Sequence, residues 1–148
     1  TILAGGLLAV AGAAGAQMDP EQAERVVDTR QSLLTLMVWN FGPMGAMARD
    51  RIEFDAERVQ TNSVRVAALA RMMSDAFAAD TRGSGVATDA LDGIWENPED
   101  FASKIDALVE ASDSLVSVAS TGDEGAMREA IANVGGTCGS CHDRYKAD

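Results

Sequence analysis

The sequence predicts an all-α protein, an antiparallel four-helix bundle. Three observations carry that reading. Four stretches repeat apolar residues at three- and four-residue steps, and none alternates convincingly as a strand would. Helix-start signals stand at Asp19-Pro20, Asp55, Asn97-Pro98 and Asp123. Two short connections and one long one separate the expected helices, which suits a bundle of antiparallel neighbours.

Residues 1–16 precede the first helix and have a different character. They carry no charge, are nearly all Ala, Gly, Leu and Val, and end in Ala14-Gly15-Ala16, a small-x-small pattern before Gln17. This reads as the apolar region of a cleaved signal peptide, truncated at its start. It falls short of the ~20 apolar residues that span a bilayer. The competing reading is an uncleaved N-terminal anchor. The domain is therefore expected over residues 17–148.

Helix A starts at Asp19-Pro20-Glu21-Gln22, where Asp19 can cap, Pro20 suits the first helical position and Gln22 can close a capping box. Ala23, Val27, Leu34, Met37 and Phe41 follow at helical steps, with Arg30 one turn above Leu34 on the same stripe. Gly42-Pro43 is expected to end or kink the helix. Helix B starts at Asp55 and carries Val59, Val66, Leu69, Ala70, Met73 and Phe77. A loose connection over residues 79–97 contains Gly83-Ser84-Gly85 and Gly93, which are turn signals. A loop of that length in a small domain is expected to cover something.

Asn97-Pro98-Glu99-Asp100 opens helix C by the logic of Asp19-Pro20, and Phe101, Ile105, Leu108, Leu115 and Val118 or Ala119 form its stripe. Thr121-Gly122 breaks it and Asp123 caps helix D. Met127, Ala130, Ile131 and Val134 then lead to Gly135-Gly136, a pair that lowers helix stability. A flat apolar group packed close to the backbone would be one reason to tolerate it. The chain has only seven aromatic residues, so such a group would also fill a core made of Ala, Val, Leu and Met.

The formal net charge is −11. None of it lies in residues 1–16. Such a surface repels nucleic acid and anionic lipid and favours basic partners. A solvated acidic face without a partner is the competing explanation.

Both cysteines and the only histidine lie in Cys138-Gly139-Ser140-Cys141-His142, near the end of helix D. Cys-x-x-Cys-His is the attachment signature of c-type haem. Residues three and four apart share a helix face. Two thiols there can bond the two vinyl groups along one porphyrin edge, and the imidazole can then meet the iron. Three rivals are weaker. A thioredoxin-like pair would sit beside a βαβ pattern. A structural zinc needs four ligands, and this motif offers three. A simple disulfide, possible in an exported chain, gives His142 no role.

With bundle and motif combined, the chain resembles cytochrome c′, the class II c-type cytochromes. The resemblance covers residues 17–148. Its carriers are the Cys138–His142 motif with Asp143 and Tyr145, the run Arg30-Gln31-Ser32-Leu33-Leu34-Thr35-Leu36-Met37, and Asp89-Ala90 with Ile94-Trp95. A motif near the C-terminus also separates it from class I cytochromes c. The resemblance implies one covalent haem c per chain, with Cys138 and Cys141 as thioethers and His142 as the axial iron ligand. It places Leu34 over the opposite haem face, Arg30 and Gln31 at the propionates, Asp89 at the haem edge and Phe77 in the pocket wall. It also implies a homodimer through helices A and B, for which Trp39 is a candidate. Lys146 stands where the family commonly has Arg, which keeps the charge and loses the planar fork. Ser74 stands near a place where some relatives have an aromatic.

The sixth iron position decides the expected function. One histidine excludes bis-histidine ligation. An apolar Leu34 lid offers bound dioxygen no hydrogen bond, whereas nitric oxide and carbon monoxide need less such help. This predicts five-coordinate, high-spin haem that binds NO or CO. The alternative is a low-spin six-coordinate electron carrier with Met37, one turn from Leu34, as sixth ligand; some relatives use a first-helix methionine in this way. Either protein is expected in the periplasm of a Gram-negative bacterium, exchanging electrons with redox partner proteins. No enzyme is expected, because no acid–base pair remains for the distal side.

Overall fold

The computed structural model describes residues 18–148. The expected signal over residues 1–16 lies outside them. Six helices follow in order: α1 Pro20–Ala48, α2 Ala56–Arg71, α3 Met73–Ala78, α4 Gly93–Glu96, α5 Pro98–Ala119 and α6 Glu124–Tyr145. The expected starts hold. Asp19, Asp55 and Asp123 each accept a hydrogen bond from the backbone N–H three residues on, at 2.9 Å. Asn97 differs. Its side-chain amide donates back to the Gly93 carbonyl, so α5 starts at Pro98 without a side-chain cap.

The four long helices form an antiparallel square. Along α1 and α2, Arg30 reaches Ala76 and Ala79 beyond the break in helix B, while Asn62 reaches Asn40. Residue numbers rise on one side as they fall on the other. The same reversal relates α2–α3 to α5 through Gln60–Ala119 and Phe77–Phe101. It relates α5 to α6 through Asp100–Tyr145 and Lys104–Ser140. It relates α1 to α6 through Phe41–Gly135 and Met47–Arg128. Met44, Met47, Val59, Val66, Leu115, Met127, Ile131 and Val134 fill the middle and are fully buried.

Three expectations need correction. First, α1 does not end at Gly42-Pro43 but runs on to Ala48. Proline inside a helix costs about 3 kcal/mol. Full burial of Met44 and Met47 contributes roughly 1.5–3 kcal/mol each, which is enough to carry the helix past it. Second, helix B is broken at Met72, so Met73 and Phe77 lie on a separate short helix, α3. Third, the connection over residues 79–97 is less loose than its composition suggests. It contains α4, and Ala90 pairs with Lys146 in an antiparallel β-bridge. Leu91 N–H donates to the Tyr145 carbonyl at 3.0 Å and Ala147 N–H to the Asp89 carbonyl at 2.8 Å.

Gly135 lies beside an aromatic ring of α1. A Cβ there would meet the Phe41 ring at 3.5 Å, and one at Gly136 would meet open space.

Candidate functional site

At the end where α1, α3, α5 and α6 converge, the bundle opens into a cleft of about 140 Å³. The bundle brings together residues far apart in sequence. α1 contributes Arg30, Gln31 and Leu34; α3 contributes Met73 and Phe77; the long connection contributes Thr88, Asp89 and Ala90. The end of α6 contributes Cys141, His142 and Tyr145. Of the residues singled out from sequence, Arg30, Gln31, Leu34, Phe77, Asp89, Cys141 and His142 line this cleft together. Cys138 lies one turn before Cys141 and packs, partly buried, against the core. Met37 does not line the cleft. It is 7% exposed and belongs to the core cluster of the bundle.

Arg30 is 1% exposed, and its environment is unusual. Its guanidinium donates to three neutral oxygens: the Ala76 carbonyl at 3.2 Å, the Ala79 carbonyl at 3.3 Å and the Thr81 hydroxyl at 3.5 Å. It also lies over the Phe77 ring at 4.6 Å and the Trp95 ring at 5.2 Å. No carboxylate pairs with it among the described residues. Burial lowers its pKa, yet a guanidinium keeps its proton in proteins. The cleft wall therefore holds a buried positive charge with no anionic partner of its own.

Aromatic contacts stiffen the wall beside it. Phe77 meets Phe101 edge-on at 5.1 Å, and Phe101 meets Tyr145 in the same way at 5.1 Å. The Trp95 indole donates to the Phe77 carbonyl at 3.1 Å and ties α4 to α3. Asp89 sits at the rim, 3.8 Å from Lys146 Nζ.

Burial pushes the thiols of Cys138 and Cys141 upward in pKa. A disulfide-exchange pair needs the reverse, a thiol with lowered pKa. Among the described residues no three His, Cys, Asp or Glu side chains are grouped so as to hold a metal ion.

A family model described as Cytochrome C′ matches residues 25–146. The chain belongs to the cytochrome c′ family. It is 36% identical over 130 residues to cytochrome c-554 of Cereibacter sphaeroides, covering 86% of this chain and 97% of that one. Among solved structures, cytochrome c prime from Shewanella frigidimarina superposes with a TM-score of 0.78 at 36% identity. That match covers 86% of this chain and 98% of the other. The nitric oxide complex of a mutant of cytochrome c prime from Alcaligenes xylosoxidans gives 0.72 at 30% identity, covering 88% and 98%. The family makes this chain a haem-binding electron carrier, and its cofactor is covalent haem c.

The residues present fit that group. The cleft is lined mainly by apolar side chains, as a porphyrin requires. The unpaired cation Arg30 suits a carboxylate. Two thiols three residues apart adjoin the one imidazole.

Sequence reasoning missed two features of the site. Met73, not Met37, is the methionine whose side chain lines the cleft. The helical stripe placed Met73 in the core, where it is indeed buried, but gave no sign that it also lines the cleft. The second is Asp100, which accepts a hydrogen bond from Tyr145. Its signal was only that of an acidic residue in a helix first turn.

Proposed function

We propose that the chain is a periplasmic class II cytochrome whose haem is held by thioethers from Cys138 and Cys141, with His142 as the single protein ligand to iron. One observation carries the reading: Cys141 and His142 share an apolar cleft with Leu34, while Met37 lies outside it. Bound there, haem c supplies an iron that accepts and returns one electron and has room for one diatomic ligand. The other work falls to the chain. Arg30 and Gln31 receive the propionates, Phe77 packs against the porphyrin, and Asp89 stands at its edge. Leu34 keeps the distal side free of hydrogen-bond donors, which disfavours dioxygen relative to nitric oxide or carbon monoxide.

The structure of a relative as its nitric oxide complex supports gas binding here. The test is anaerobic addition of nitric oxide to the reduced protein, followed optically. A new absorption spectrum is expected, and an unchanged one ends the gas-binding reading. The resting ferric protein is expected to be high-spin. A low-spin spectrum that Met73→Ala or Met37→Ala converts to high-spin would restore the six-coordinate electron carrier.

Export to the periplasm agrees with a helical domain in which, among the described residues, no helix is long and apolar enough to cross a membrane. Attachment outside the cytoplasm is checked by fractionating cells and staining for covalent haem. A homodimer is favoured by the exposed apolar residues Leu36, Val38 and Trp39 of α1 and Val64 of α2, with Trp39 78% exposed. Trp39→Lys is expected to shift a dimer to monomer in sedimentation velocity, and a wild-type monomer ends that proposal.

A further inference from the structure

Resting on the assignment of His142 as iron ligand, we infer that Tyr145, held by Asp100, is the positioning residue that sets the imidazole's orientation.

A metal-bound histidine usually donates its second ring N–H to a neighbouring acceptor, which fixes the ring. Among the described residues His142 has no such partner, and its side chain is exposed at the cleft. Within the chain, the backbone turn that carries it is then the part that can orient it. That turn is the last of α6, closed by the Lys146 N–H donating to the His142 carbonyl at 3.1 Å.

Tyr145 anchors this turn from several sides. It follows His142 by three residues and is 3% exposed. Its hydroxyl donates to Asp100 Oδ2 at 2.5 Å, and Arg144 Nη1 lies 3.3 Å from the same oxygen. Its ring packs edge-on against Phe101, and a Cβ on Gly93 would lie 3.6 Å from it. Its carbonyl accepts from Leu91 N–H. Asp100 is well placed as the anchor, because it sits in the first turn of α5, where the helix dipole favours a negative charge. Together these contacts fix the final turn of α6 against α4 and α5.

The test uses the haem-loaded protein carrying Tyr145→Phe or Asp100→Asn. Tyr145→Phe keeps the ring and removes the hydroxyl; Asp100→Asn keeps an acceptor and removes the charge. Haem content comes from the pyridine haemochrome and orientation from the iron–histidine stretching line of the ferrous protein. Tyr145→Phe is expected to retain full haem, to shift and broaden that line, and to speed amide exchange at Lys146 about tenfold. Asp100→Asn is expected to shift the line less, in the same direction. Lys104→Ala cuts a different α5–α6 contact, the 2.8 Å bond to Ser140 Oγ, and is expected to leave the line unmoved. A fully loaded Tyr145→Phe protein with the wild-type line overturns the inference; if that variant does not fold, an unmoved line in Asp100→Asn does so instead. Absence of an iron–histidine line from the unaltered protein removes the ligand assignment itself, a distinct result.

Discussion

Arg30 shows how one buried charge can serve fold and ligand together. It is a cation in a wall of apolar side chains, satisfied by carbonyls that close α3. Replacing it with methionine keeps much of the volume but leaves the Ala76 and Ala79 carbonyls without that donor. Unpaired buried acceptors cost roughly 1–3 kcal/mol. Arg30→Met is therefore expected to lower the unfolding free energy measured in urea by that amount, and to weaken non-covalent haem retention when both cysteines are also replaced. Leu34 is the complementary case, a side chain that contributes by lacking polarity. Leu34→Ala is expected to raise the carbon monoxide association rate, measured by stopped flow. An unchanged rate would remove the lid from the account.

Among the elements, α1 and the broken helix B show where local pattern stops being informative. The starts at Asp19, Asp55 and Asp123 were legible because a cap is a local bond between residues three apart. Whether α1 survives Pro43 was not legible, because the answer lies in the burial of Met44 and Met47 against other helices. The break at Met72 is similar: no residue there demands it. Most of the candidate site was legible from the Cys138–His142 motif and the Arg30–Met37 run. That Met73 lines the cleft and Met37 does not was not legible, because it depends on which walls meet. Tyr145 and Asp100, 45 residues apart, meet only in the fold. Pro43→Ala restores a backbone donor in mid-helix and is expected to stabilise the protein by about 1–3 kcal/mol, measured by denaturant unfolding.

For the molecule as a whole, the pairing of Asp100 with Tyr145 gives stability a pH window. The Tyr145 hydroxyl holds the Asp100 carboxyl below the usual aspartate range, and Arg144 and Lys104 act in the same direction. A depressed acid contributes stability above its unfolded value and loses it as pH falls through its folded value. Burial, then the bond to Asp100, pushes the Tyr145 hydroxyl above the usual phenol range. Its contribution is full below the unfolded value and is lost as pH rises through the folded one. Unfolding midpoints are therefore expected to fall at both extremes. Asp100→Asn should flatten the acid limb and Tyr145→Phe the alkaline one. The net charge of −11 bears on partners instead. Electron exchange with a basic partner is expected to slow with added salt, whereas exchange with an acidic one would quicken.

The bond from Ala147 N–H to the Asp89 carbonyl has a practical side. Any handle fused behind Asp148 hangs one residue from a strut of the cleft wall. A purification tag or surface linker at that end pulls directly on the segment beside His142. Spectra and gas affinities taken from such a fusion would carry that load.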